Sequence, residues 1–278
     1  MQALAEDFRR QERTIAFVPT MGYLHDGHIS LLAAGRQMAD ILVVSIFVNP
    51  TQFGPGEDYA NYPRDPERDR ALAEKAGTDV LFMPEKEQLY PEGYETYVTQ
   101  THLPKHLCGL FRPTHFSGVT TIVAKLFNIV KPHYAVFGEK DYQQLAIVRK
   151  MAADLNFDTR IVGAPIVREP DGLALSSRNK YLAQQQRQSA LSLNRALTEA
   201  QQMVARGETR AECIIEKAVQ IITAQAQTGI DYVRICDPET LEDVAVVDRP
   251  VLMALAVHVG QTRLIDNTML VPQNGEQQ

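Results

Sequence analysis

TIAFVPTMGYLHDGH, residues 14–28, decides how the rest of the chain is read. Its first five residues form a short apolar run. The chain then turns through Pro19 and Gly22 and meets two histidines, His25 and His28, where helical spacing of Ile29, Leu32, Ala33 and Arg36 begins. A buried strand that passes through a glycine-bearing turn into a helix is the opening unit of a parallel α/β sheet. Such a turn needs a glycine and a cap, but not a pair of imidazoles. In open α/β sheets, ligands bind beyond the carboxyl ends of the strands, where helix N-termini present N–H groups and a favourable dipole to an anion. Two histidines in an H-x-G-H spacing at that point suit a phosphate site, where their N–H groups would stabilise charge developing at phosphorus. Capping or packing, and a zinc pair without a suitably spaced third ligand, are the alternatives at this stage.

Working outward, strand-like and helix-like segments alternate. ILVVSIFV (41–48) is continuous and β-branched, as in a strand buried on both faces. Asp65-Pro66 opens a helical stretch that Gly77 closes, and DVLFM (79–83) follows as a strand. Residues 116–130 set Val119, Ile122, Val123, Leu126 and Val130 on one helical face. HYAVFG (133–138), a helix over 141–155 and RIVGAPIV (160–167) continue the alternation. Short connections between them imply a parallel sheet with helices on both faces. Beyond residue 170 the texture changes: two helix-rich stretches (180–206, 209–227) precede strands at 231–237, 251–259 and 262–270, the last two joined by Gly260-Gln261. The expected division is therefore an α/β domain over 1–167 and a smaller α+β domain over 168–278. A polar, flexible link, REPDGLALSSR (168–178), lies at the junction, and PQNGEQQ (272–278) is expected to fray.

The bulk numbers are those of a globular protein: 278 residues, 45% hydrophobic and 22% charged. A net charge of −6 argues against a nucleic-acid partner but allows a locally positive pocket. The three cysteines are far apart with no C-x-x-C, as expected of reduced thiols in the cytoplasm. The N-terminal MQALAEDFRRQERT lacks a signal-peptide core, and no apolar run is long enough to span a bilayer, so no membrane partner is expected.

No Walker A, G-x-G-x-x-G or H-E-x-x-H pattern occurs, so a phosphate must be held by other means. Three further segments carry candidate chemistry. FVNPTQFGPGEDYANYPRD (47–65) places Asn49 and Gln52 just past a buried strand, where neutral amides suit a small polar substrate. FGEKDYQQL (137–145) places Lys140 at another strand-to-helix turn, within reach of phosphate, with Gln144 one turn into the helix. LALSSRN (173–179) offers Ser176, Ser177 and Arg178 as a mobile clamp for a triphosphate. Turn chemistry and capping are the bland reading of each. His102 and His106 flank Pro104 and read as loop residues. Asp69 could be a carboxylate on the metal side of the site, but a charge on a helix face is the expectation.

Taken together, PTMGYLHDGH, FVNPTQFG, FGEKDYQQ and LSSRN, joined by RPTHFSGVTTIV (112–123) and TRLIDN (262–267), resemble the pantoate–β-alanine ligase (pantothenate synthetase) family over nearly the whole chain. H-x-G-H alone indicates only the wider nucleotidyltransferase superfamily. The resemblance implies a Rossmann-like domain with a smaller C-terminal lid and a homodimer. It implies ATP with Mg²⁺, and two half-reactions through pantoyl adenylate that release pyrophosphate and then AMP. By motif, Met21, Gly22, Tyr23, Leu24, His25, Asp26, Gly27 and His28 would contact ATP, with His28 catalytic and His25 its partner. Gly138, Glu139, Lys140 and Asp141 would meet the nucleotide, with Lys140 on its phosphates, and Val167 would lie by the adenine. Leu175, Ser176, Ser177 and Arg178 would close over the triphosphate, while Gln52 and Gln144 would hold pantoate. No residue is assigned as a metal ligand. The first motif begins at Pro19, earlier than the family commonly has it behind an extra N-terminal strand, so a difference is expected at an edge of the sheet. The competing expectations are a nucleotidyltransferase acting on another small acceptor, a non-catalytic nucleotide-binding module, and a zinc-binding protein.

Overall fold

A computed structural model describes residues 1–272, so the expected fraying of PQNGEQQ falls almost wholly outside the described residues. Two compact units are present: Met1–Pro104 with Arg112–Val167, and Lys105–Phe111 with the chain from Arg168 onward. In chain order the first unit holds α1 (Gln2–Arg10), β1 (Ile15–Thr20), α2 (Asp26–Met38), β2 (Ile41–Ile46), α3 (Pro66–Lys75), β3 (Val80–Phe82) and α4 (Lys86–Leu89). The short α5 (Cys108–Phe111) lies in the second unit. The chain returns to the first unit for α6 (His115–Val130), β4 (Tyr134–Gly138), α7 (Tyr142–Asp154) and β5 (Arg160–Ala164).

These strands make one five-stranded sheet in the order β3-β2-β1-β4-β5, every pairing parallel. β1 and β2 pair in register from Ile15↔Ile41 to Thr20↔Ile46. Their apolar residues are buried because helices cover the sheet, which is why both strands read as unbroken apolar runs. From β1 the chain proceeds outward through β2 to β3, and later returns to build β4 and β5 on the other side. That reversal puts a topological switch point between β1 and β4, and the carboxyl ends of these strands flank a crevice there.

Local chemistry accounts for the helix ends. Asp65 accepts a hydrogen bond from the Arg68 N–H, Pro66 occupies the first helical position of α3, and Gly77 follows it at φ +78°. Two departures are informative. Residues 2–10, to which the sequence pattern assigned no element, form α1: Ala5 is buried, Arg9 donates to the Lys131 carbonyl (3.0 Å), and Glu6 pairs with Lys131 at the end of α6. The sheet edges are β3 and β5, with β1 in the middle. In turn α6, expected to bury one face, buries nearly its whole girth. Its second contact is with the turn after β2: a Cβ on Gly118 would overlap the Thr51 carbonyl, so only glycine permits this approach.

The second unit contains α8 (Gln184–Ala205), α9 (Ala211–Thr223) and an antiparallel sheet β6-β7-β8 of Thr228–Cys236, Val251–Val259 and Thr262–Leu270. Alternate residues of β7 (Val251, Met253, Leu255, Val257, Val259) join Leu193, Leu197, Ile214 and Ile222 of the helices in one core. The β7–β8 hairpin closes through Gly260-Gln261, with Gly260 at φ +58° and Val259 opposite Thr262.

Candidate active site

The exit from β1 is built by backbone geometry that few residues tolerate. Gly22 and Tyr23 both lie in the left-handed region, at φ +82° and +52°. The Gly22 N–H donates to Thr20 Oγ1 (3.2 Å), and that hydroxyl donates to the Ser45 carbonyl on β2 (2.9 Å). The next two N–H groups, of Tyr23 and Leu24, donate to the two oxygens of Asp69, each at 2.7 Å. Asp69 lies in the first turn of α3 and is 1% exposed. The expectation of a charge on an exposed helix face is therefore corrected: the carboxylate is buried because two loop donors satisfy it. Arg68 beside it lays its guanidinium over the Tyr23 ring, 5.2 Å from the centroid.

His25 caps α2, its carbonyl accepting from the N–H groups of His28 (2.7 Å) and Ile29 (3.0 Å). His28 Nδ1 accepts in turn from the His25 N–H (3.3 Å). A neutral His28 therefore carries its proton on Nε2. The two rings lie 4.1 Å apart, tilted by 40°. Burial, then the neighbouring His25 and Lys140, push the His28 pKa down to about 3. Burial, then Lys140, push His25 down to about 4. At neutral pH both rings are uncharged N–H donors, and positive charge acts on His25 from Lys140 and, more weakly, from Arg68. His25 Nδ1 is buried with no hydrogen-bond partner among the described residues, a polar atom that a bound molecule could satisfy.

At the end of β2, Asn49 and Gln52 are both buried. Asn49 Nδ2 donates to Gln52 Oε1 (3.1 Å) and to the Gly118 carbonyl (3.0 Å), and Gln52 Nε2 donates to Met21 Sδ (2.9 Å). The first two motifs are thus in contact. The Gln52 carbonyl is held from behind by His115 Nδ1 (2.8 Å) and Arg112 Nη2 (3.2 Å). Arg112 also grips Glu57 through Nε (2.8 Å) and Nη2 (2.5 Å), and its Nη1 faces His115 Nε2 at 3.2 Å. Burial and then Arg112 push the His115 pKa down to about 4, so this ring too is neutral, donating from Nδ1 and accepting at Nε2. Sequence reasoning gave Arg112 and His115 no chemistry. The available signal was R-P-T-H opening a buried helix that reaches back to the Asn-Pro turn.

At the end of β4, Gly138 leads into a tight turn, Glu139–Asp141, and then α7. Lys140 is half-buried there, near enough for its charge to act on both histidines. Gln144 lies half-buried in the first turn of α7. Its neighbour Gln143 is the buried one of the pair and donates to the Leu103 carbonyl (2.9 Å). Val167 is the last residue of the first unit. His102 and His106 flank the short turn Leu103–Lys105. Met21 meets Gln52, and His25, His28 and Lys140 form a second group; both follow the carboxyl ends of the central strands.

Leu175, Ser176, Ser177 and Arg178 belong to the second unit. Ser176 Oγ accepts from the Arg178 N–H (3.3 Å) and caps a short helical turn, Ser177–Tyr181. The segment leading to it differs from the flexible link expected. Arg168 bridges to Ala174, the Glu169 N–H donates to the Leu173 carbonyl (2.8 Å), and Gly172 turns the chain at φ +95°. Arg168 forks onto Asp266 (2.6 and 3.0 Å), while Arg187 pairs with Glu169 (2.5 Å) and Asp171 (2.8 Å). Carboxylates that read as polar loop residues are ion-paired, and the pairs fold the segment into a hairpin.

A parallel sheet with neutral imidazole donors, a lysine and a helix N-terminus at its switch point defines an α/β protein that handles an anionic, nucleotide-like ligand. Comparison with known proteins identifies the class. The family model for pantoate-β-alanine ligase matches residues 1–269. A pantothenate synthetase from Desulfatibacillum aliphaticivorans is 59% identical over 98% of this chain and 97% of its own. The crystal structure of pantothenate synthetase from Thermus thermophilus superposes with a TM-score of 0.92 at 45% identity, covering 96% of this chain and 98% of that one. The Francisella tularensis pantoate-β-alanine ligase, solved with β-γ ATP and β-alanine, gives 0.77 at 33% identity, covering 96% and 95%. The chain belongs to the pantoate–β-alanine ligase family. It is a ligase, and the bond it forms is the amide between pantoate and β-alanine.

Proposed function

We propose that the chain condenses (R)-pantoate with β-alanine at the expense of ATP through a pantoyl adenylate, with the site at the β1–β4 switch point. The observation that carries this reading is the half-buried, uncharged His25–His28 pair at the N-terminus of α2, with Lys140 beside it. Pantoate's carboxylate and ATP's α-phosphate repel each other. Fixed N–H donors and one cation lower that cost without having to reorganise as charge shifts. His28 Nε2–H donates to the oxygens at the α-phosphorus, His25 supports it, and Lys140 lies on the phosphates. Gln52 and Gln144 hold pantoate. Gln52 is well suited to this because its carbonyl and amide are already held by Arg112, His115 and Asn49. Attack by the carboxylate oxygen expels pyrophosphate; attack by the neutral β-alanine amine on the mixed anhydride then expels AMP. Holding the reactants in line supplies on the order of 7–11 kcal/mol at best.

The remaining nucleotide contacts in this reading are the loop Met21–His28, Gly138–Asp141, Val167, and Leu175–Arg178, which close over the triphosphate as part of a C-terminal lid domain (168–278). A lid that excludes water protects an adenylate prone to hydrolysis. Mg²⁺ enters with ATP. Among the described residues no three His, Cys, Asp or Glu side chains converge on a cation site. The metal would be held chiefly through the phosphate oxygens, as is usual for nucleotide-bound Mg²⁺, and no step is assigned to it. A cytoplasmic homodimer completes the reading; among the described residues no helix is long and apolar enough to cross a membrane.

The test is isotopic. Pantoate labelled with ¹⁸O in its carboxylate, incubated with ATP, Mg²⁺ and β-alanine, should pass one ¹⁸O to the phosphate of AMP. AMP without label, or ADP as the product, would reject the adenylate.

A further inference from the structure

Two backbone donors of the histidine loop are already committed in the protein itself. We infer that Asp69 is a positioning residue for the two histidines, and that it withholds the Tyr23 and Leu24 N–H groups from the nucleotide. Each oxygen of this carboxylate accepts one of those N–H groups at 2.7 Å, and the side chain is 1% exposed. A Cβ built on Gly22 would lie 2.9 Å from Asp69 Oδ2 and 2.9 Å from Ile46 Cγ2, so the carboxylate is packed directly against the loop backbone. Tyr23 keeps a left-handed φ of +52°, a conformation that a bulky residue holds only when its surroundings impose it. The next residue but one is His25, which caps α2 and whose N–H fixes Nδ1 of His28. Asp69 therefore acts on His28 through three links: the loop N–H groups, the start of the helix, and the ring orientation that leaves Nε2–H as the donor.

This inference rests on the reading of the loop as an ATP-contacting element, and it narrows that reading. The loop meets phosphate through its imidazoles and the N-terminus of α2, not through the N–H groups of Tyr23 and Leu24.

Hydrogen exchange on the unmodified enzyme tests it first. Without nucleotide, the Tyr23 and Leu24 amides should exchange at least ~100-fold more slowly than in an unstructured chain, and adding β-γ-blocked ATP should leave them unchanged. Amides that exchange freely until nucleotide is added would overturn the inference. The second test is Asp69→Asn, which keeps the shape but turns one acceptor into a donor. It should lower kcat by about 10-fold with the pantoate KM within about twofold. It should also move the ¹⁵N ring signals of His28 from a single Nε2-protonated form toward a tautomer mixture. Wild-type ring signals and wild-type kcat in a folded Asp69→Asn would reject the positioning role, which loss of stability alone could not mimic. His28→Ala separates the two claims: a normal rate there sinks the reading of the loop, while the exchange result still stands for Asp69.

Discussion

The β1–α2 loop and the segment from Arg168 to Arg178 both carry residues assigned to ATP, yet they are held by opposite means. The loop is fixed from inside by a buried carboxylate, left-handed backbone and a ring-to-backbone hydrogen bond. The segment is fixed largely from outside: Arg187, Glu169 and Asp171 keep side-chain exposures of 30%, 23% and 34%, and only Asp266 is deeply buried. Buried, fully satisfied polar groups are costly to disturb, whereas half-exposed ion pairs are worth roughly 0–1 kcal/mol each and weaken with salt. The difference is what the proposed roles require: a rigid template at the loop, and weaker attachments at the segment.

The strongest way to break this comparison is His28→Ala. The first half-reaction should slow at least ~100-fold, about 2.7 kcal/mol of transition-state stabilisation, while circular dichroism still shows the folded protein at the assay temperature. Pyrophosphate release measured by stopped flow reads this directly, and a near-normal rate would remove His28 from the chemistry. Next in size, Gln144→Ala should raise the pantoate KM by about 10-fold and the ATP KM much less. Equal effects on both would move Gln144 away from the pantoate position.

Much of the first region was legible in the sequence because its signals are local. Alternating apolar runs gave the strands, Asp65-Pro66 and Gly77 gave the ends of α3, and Gly22 with H-x-G-H after β1 marked the turn into α2. Asp69 was misread because helical spacing does not say which side of α3 faces another element; its burial depends on a loop 45 residues earlier. Arg112 and His115 were passed over for the same reason, since their partner is a main-chain carbonyl, invisible as a motif. The fold of 168–178 was missed because Arg168 and Asp266 are 98 residues apart, and a chain rich in turn formers reads as flexible until its ion pairs are known. Helix α1 escaped because its anchor is the far end of α6.

The acid dependence sharpens the comparison further. His25, His28 and His115 all titrate below the ordinary imidazole value, at about 4, 3 and 4 in the folded protein. Between an unfolded pKa near ~6.5 and these values, the unfolded chain binds more protons, so stability rises with pH. The contribution is complete well above pH 6.5 and is lost progressively toward pH 4 for His25 and His115 and toward pH 3 for His28. Each such imidazole should lower stability by on the order of 1 kcal/mol between pH 6.5 and 5. Urea unfolding at these two pH values checks it, and His28→Gln should flatten the slope by its share. A wild-type midpoint that does not move would mean the rings are not held neutral. No equivalent acid response is expected from loosening the 168–178 hairpin.

The smallest effect belongs to that hairpin. Arg187→Ala removes the cation that Glu169 and Asp171 share on the partly exposed side of the segment. Neither carboxylate is left without solvent, so the loss should stay below about 1 kcal/mol in urea unfolding and shrink in 0.5 M salt, where the Debye length falls to roughly 4–5 Å. Because Ser176 and Arg178 follow directly on this hairpin, the ATP KM should rise by a few-fold at low salt while kcat changes little. The pattern to look for is a KM effect that salt abolishes by weakening the wild type toward the variant. If Arg187→Ala instead lowered kcat as His28→Ala does, or its effect were indifferent to salt, the segment would be part of the rigid template, and the contrast between the two regions would fail.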